Sequence, residues 1–104
     1  MFKKAELEQV SNTSFSFHTI EASTNQLIAV LGNPSQRGGI SEKVTREWWL
    51  TTDDGIPFTV YDWKEWRNFD DDEVITWHIG TRFDTNHRDR DTARVIAALR
   101  AALS

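Results

Sequence analysis

Between residues 43 and 80 the chain alternates apolar and polar side chains, the mark of strands with one buried face. In KVTREWWLTT (43–52), Val44, Trp48 and Leu50 share one face and Trp49 opposes them. IPFTVYDW (56–63) sets Ile56, Phe58 and Val60 against Thr59, Tyr61 and Trp63. EVITWHIG (73–80) sets Ile75, Trp77 and Ile79 against Val74, Thr76 and His78. Between the first two runs, Asp53-Asp54-Gly55 supplies the Asp-Gly pair that favours a tight hairpin with positive φ. Pro57 falls near the start of its strand, where a missing N–H does least harm. Upstream, SFSFHTI (14–20) alternates more weakly and fits either a strand or an extended lead-in.

The period lengthens to that of a helix in two places. Ser23-Thr24-Asn25-Gln26 has the S-x-x-Q form of a capping box, and Leu27, Ile28, Val30 and Leu31 then form one helical face. Gly32 suits the left-handed position after a helix and Pro34 prevents continuation, so the helix runs from about Ser23 to Leu31. NPSQRGG (33–39) reads as a loop. From about Asn86, Val95, Ile96, Leu99, Ala102 and Leu103 share a face. Ala97, Ala98 and Ala101 favour the helix, Asp89 and Asp91 sit near its start and Arg100 near its end, as the helix dipole prefers. The expected order is (β)αβββα: one α+β domain over residues 1–104, a three- or four-stranded antiparallel sheet with two helices on one face.

Length agrees with that picture, since 104 residues leave no room for two independent cores. There is no cysteine, hence no disulfide or thiolate metal site. MFKKAELEQV has no long apolar run after its lysines, and no stretch approaches the ~20 apolar residues of a membrane helix. The expectation is a soluble, cytoplasmic protein with no membrane partner. Net charge is −4 and unevenly placed: Asp53 to Glu73 carries eight acids against Lys64 and Arg67, whereas Arg82 to Arg100 carries five arginines against three aspartates. An acidic middle argues against direct nucleic-acid binding, which needs a continuous positive face.

EWWLTTDDG, TVYDWKEW and TWHIG together resemble a pattern in small uncharacterised proteins of tailed bacteriophages. The matching residues are Glu47, Trp48, Leu50, Asp54, Gly55, Thr59, Tyr61, Asp62, Trp63, Lys64, Glu65, Trp77, His78, Ile79 and Gly80, about the central third of the chain. The resemblance implies phage origin, a small α+β fold and a bacterial host cell, and brings no catalytic assignment. In such proteins a second glycine often follows the one matched by Gly80; Thr81 stands here instead, which counts against an extra-tight turn.

Candidate chemistry concentrates in VYDWKEWRNFDDDEVITWHIG (60–80). Asp70-Asp71-Asp72-Glu73 lacks the alternate spacing and turn glycine of a metal loop, so it reads as a solvated connection. His78 could act as a base beside Asp62 or Glu65, but no nucleophile elbow, phosphate loop or H-E-x-x-H helix accompanies it, and no enzyme activity or cofactor is expected. Trp48 and Trp77 belong to the core face, whereas Trp49, Trp63 and Trp66 do not, and a sheet with one covered face cannot bury all five tryptophans. They form a binding surface, lie under the connection 64–72, or meet in a homodimer. The leading expectation is a stoichiometric inhibitor of a host protein, a counter-defence role, with contact through Tyr61, Asp62, Trp63, Glu65, Trp66, Arg67 and Asp70, Asp71 and Asp72. The alternative is a small-ligand protein that sequesters a nucleotide between a tryptophan and Arg37, Arg82 or Arg88, with His78 nearby, or an assembly accessory.

Overall fold

The computed structural model describes residues 2–37, 45–63 and 69–104. Val44, Glu65, Trp66 and Arg67 lie outside the described residues. The chain runs β1 (Lys3–Lys4), α1 (Leu7–Val10), β2 (Thr13–Ser23), α2 (Thr24–Leu31), β3 (Gln36–Arg37), β4 (Arg46–Thr51), β5 (Pro57–Tyr61), β6 (Val74–Arg82) and α3 (Arg88–Leu103). The class is α+β with one antiparallel sheet, as expected. The sheet, however, has six strands rather than three or four, and there are three helices rather than two.

Strand order is β1-β4-β5-β6-β2, with β3 also paired to β4. β1 and β3 therefore share one edge of β4: Lys4 pairs with Leu50 at one end, and Gln36 with Glu47 at the other. Two-residue strands carry no periodicity, which is why LysLys and GlnArg read as ordinary polar chain. SFSFHTI is a strand rather than a lead-in, the middle of the eleven-residue β2. Its weak alternation has a cause: the register with β6 shifts between Phe15 and His18, and Phe17 there takes φ 66°. Ser16 and Phe17 have no partner on β6, so Phe15 and Thr19, four residues apart, face Gly80 and His78, two apart, and stay on one face.

The turn after β4 is a three-residue hairpin. Gly55 N–H donates to the Thr52 carbonyl at 2.9 Å, and Gly55 at φ 86° supplies the left-handed step that closes it. The Ser23 capping box forms as its sequence predicts: the Gln26 N–H donates to Ser23 Oγ at 3.1 Å and the Ser23 N–H to Gln26 Oε1 at 2.8 Å.

One face of the sheet and the helices α2 and α3 enclose the core. Trp48, Leu50, Phe58, Val60, Trp77 and Ile79 come from the strands, and Leu27, Leu31, Val95, Ile96 and Leu99 from the helices. Trp48 and Trp77 meet edge to face at 5.3 Å. Each indole N–H, which would be costly to bury alone, donates to a carbonyl: Trp48 to Gly32 at 2.9 Å, Trp77 to Ala22 at 2.8 Å. At the far end of this face Thr81 and Thr92 share a hydroxyl hydrogen bond of 2.8 Å, tying α3 to β6.

The opposite face is covered differently. α1 packs on β4 and β5, and its Val10 is buried apart from the main core. This places the short helix over the end of the second face, where Thr51, Thr59 and Gly80 are buried. The other end of that face carries Trp49 and Trp63.

Candidate functional site: an aromatic row on the open face

Strand pairing aligns two rows across the open face. Glu47 faces Tyr61, Tyr61 faces His78 and His78 faces Thr19; alongside, Trp49 faces Thr59, Thr59 faces Gly80 and Gly80 faces Phe15. Alternation within each strand keeps these side chains on the side away from α2 and α3. Trp63 follows Tyr61 on the same side and remains 40% exposed.

The rings touch in sequence. Phe17 lies 5.3 Å from Phe15, Phe15 4.7 Å from His78, His78 5.7 Å from Tyr61, and Tyr61 6.3 Å from Trp63. The Tyr61 and His78 rings are stacked, with an interplanar angle of 26°, and Trp63 stands edge-on to Tyr61 at 79°. Five aromatic side chains, drawn from β2, β5, β6 and the chain just after β5, thus form one band. Gly80 makes room for it: a Cβ there would sit 2.3 Å from Thr59 Oγ1 and 3.6 Å from Tyr61 Cε1. Gly80 lies within β6 and is not part of a turn.

At one end the bulge leaves Phe17 83% exposed with a left-handed backbone. That conformation is unfavourable for a bulky aromatic residue. At the other end stands Glu47, half-buried beside Tyr61 and Trp49. Burial pushes its carboxyl above the usual range and Asp62 adds to the rise, while a hydrogen bond from the Trp49 side chain opposes it. The Tyr61 hydroxyl is likewise raised, by burial first and by the Glu47 charge second.

Of the residues marked out from sequence, Tyr61, Trp63 and His78 come together in this band. Asp62 turns the other way and is fully buried. It accepts the Thr45 N–H at 2.8 Å, the Thr45 hydroxyl at 2.5 Å and the Arg46 N–H at 2.9 Å, fastening the start of β4 to the end of β5. Asp71 accepts Arg46 at 2.9 Å and lies 3.5 Å from Arg37. Its carbonyl accepts the Asn25 N–H at 3.0 Å, and Asp72 accepts the Asn25 side-chain amide at 2.6 Å. These two acids therefore dock the β5–β6 connection onto the start of α2. Asp70 is exposed.

The arginines are similarly engaged. Arg82 forks onto Asp84 with two bonds of 2.8 Å, which raises its own pKa and holds Asp84 below the usual carboxylate range. Arg88 donates to the Ser14 carbonyl at 2.8 Å, to Ser14 Oγ at 3.0 Å and to the Phe15 carbonyl at 3.1 Å, pinning α3 to β2. Phe15, Phe17, Trp49 and Glu47 join the site only in the folded sheet. Register was the missing signal, since it alone brings positions 15, 47, 61 and 78 side by side.

Among the described residues no group of three or more histidines, cysteines or acids is placed to hold a metal ion. A cleft of about 430 Å³ lies by Thr19, Glu21, Thr76 and Arg100, and one of about 550 Å³ lies between Phe2 and the alanines of α3. Neither is lined by Tyr61, Trp63 or His78. Among the described residues no helix is long and apolar enough to cross a membrane. No protein-family model, curated protein or solved structure matches this chain.

Proposed function

We propose that the protein is a non-enzymatic, stoichiometric binding protein whose contact surface is the open-face aromatic band. The observation that carries this reading is the continuous row Phe17, Phe15, His78, Tyr61 and Trp63 on the face that the two large helices leave bare. Rigid aromatic side chains present a large contact area at small entropic cost, which is why they dominate binding hot spots. The left-handed Phe17 adds support, because such strain tends to persist where the exposed side chain is used.

A protein partner fits better than a nucleotide. Arg37, Arg82 and Arg88, which a phosphate would need, are committed to Asp71, Asp84 and the β2 carbonyls, and Glu47 stands beside the rings. The resemblance to small phage proteins supplies the biological side of the proposal: the partner is a host protein, its inhibition serves counter-defence, and the setting is the host cytoplasm.

Native mass spectrometry of protein recovered gently from bacterial lysate tests this, with the Tyr61→Ala/Trp63→Ala double variant in parallel. A host protein in fixed stoichiometry with the wild type and missing from the variant is the expected result. A mass excess of a few hundred daltons per protomer would replace it with the small-ligand reading. A bare homodimer that dissociates in the variant would assign the band to self-association.

A further inference from the structure

We infer that the Glu47 end of the aromatic band receives an arginine side chain of the partner protein. The inference rests on the binding-surface reading above and specifies its chemistry. Pairing puts Glu47 directly across from Tyr61, and Trp49 lies on the same face of β4 two residues on, so a carboxylate sits among ring systems on a surface offered for contact.

A half-buried carboxylate on a contact surface is costly to cover further unless a cation arrives with the covering partner. Burial already disfavours its charge and Asp62 behind it adds repulsion, and among the described residues no positive group is paired with it, so a cation is the complement this carboxylate calls for. Among cations, a guanidinium matches best: its planar fork can bond the carboxylate while its face lies on an aromatic ring. A lysine would supply charge but neither the fork nor the stacking plane. The chain's net charge of −4 favours approach of a basic partner in general, but it does not choose a position; the juxtaposition of Glu47 with Tyr61 and Trp49 does.

The test uses an acetylated, amidated tetra-arginine peptide as probe, titrated into the full-length ¹⁵N-labelled protein and followed by NMR. Tetralysine and a short oligothymidylate serve as comparisons. Glu47→Gln removes the carboxylate, and Asp89→Asn, in the exposed first turn of α3, makes the same change in net charge elsewhere. The expected result is that tetra-arginine shifts the Glu47 and Tyr61 amides and the Trp49 and Trp63 indole signals. Tetralysine should bind more weakly. Glu47→Gln should weaken arginine binding roughly tenfold, the factor carried by loss of one charge-assisted hydrogen bond, and Asp89→Asn should change it little.

Equal losses in the two variants, shifts scattered over the acidic surface, or tighter binding of the oligothymidylate would overturn the inference. Host-partner retention separates its failure from that of the broader reading. A partner lost by the Tyr61→Ala/Trp63→Ala variant but held by Glu47→Gln removes the arginine and leaves the contact surface. A partner indifferent to both sets of changes removes both.

Discussion

The two faces of the sheet use aromatic residues in opposite ways. On the helix side Trp48 and Trp77 are completely buried, meet edge to face, and have their indole N–H groups bonded to carbonyls. On the open side Phe15, Tyr61, Trp63 and His78 touch one another just as closely, yet only the short α1 covers part of that face among the described residues. Contact between rings therefore does not distinguish core from surface here. What distinguishes them is whether one of the large helices, α2 or α3, closes over the rings.

The largest effect should come from opening the closed face. Trp77→Ala removes a fully buried indole at the centre of the core and should cost about 3–5 kcal/mol. In a domain of this size that is a large part of total stability, so the urea midpoint should fall steeply. Asp62→Ala comes next: it deletes the buried acceptor of three hydrogen bonds at the β4–β5 junction and leaves half-buried donors, for about 2–3 kcal/mol. Chemical denaturation measures both. Gly80→Ala should cost about 1–3 kcal/mol, because its Cβ would lie 2.3 Å from Thr59 Oγ1 in a well-packed strand.

The open face should answer differently. Tyr61→Ala/Trp63→Ala should cost less than Trp77→Ala by the same urea assay, yet abolish partner retention. A double variant as unstable as Trp77→Ala would erase the contrast between the faces.

The smallest effect is one of pH. The Glu47 pKa is raised on folding, so the folded state holds its proton more tightly than the unfolded chain does. The favourable contribution is fully present below the unfolded value of about 4.3 and is lost as pH rises through the higher folded value. Wild type should lose stability relative to Glu47→Gln across that window, and melting temperatures of the two at pH 4 and pH 7 would show it. Equal pH responses would mean that Glu47 is as well solvated as an ordinary surface acid.

These contrasts also show what could be read from the chain and what could not. The period of two in β4, β5 and β6 assigned Trp48, Leu50, Phe58, Val60, Trp77 and Ile79 to the core and Trp49, Tyr61, Trp63 and His78 to the other side. The Ser23 capping box and the apolar face of α3 were equally plain. β1 and β3 were invisible because two paired residues have no period, and the β2 bulge disrupted the alternation around Phe17. The band was hidden for a related reason. Tyr61 and His78 are far apart in sequence and become neighbours only through register, as do Glu47 and Tyr61. Charge counting did not reveal that Asp62, Asp71 and Arg88 are held by hydrogen bonds between separate segments of the chain, or that Arg82 is forked onto Asp84 two residues on.

The most direct measurement is an indole ¹H–¹⁵N spectrum of the protein alone and in complex with its captured host partner. The account predicts that the Trp49 and Trp63 signals move or broaden on binding while those of Trp48 and Trp77 stay in place. Movement of Trp48 and Trp77 with Trp49 and Trp63 unchanged would contradict it, and would put the contact surface on the helical side.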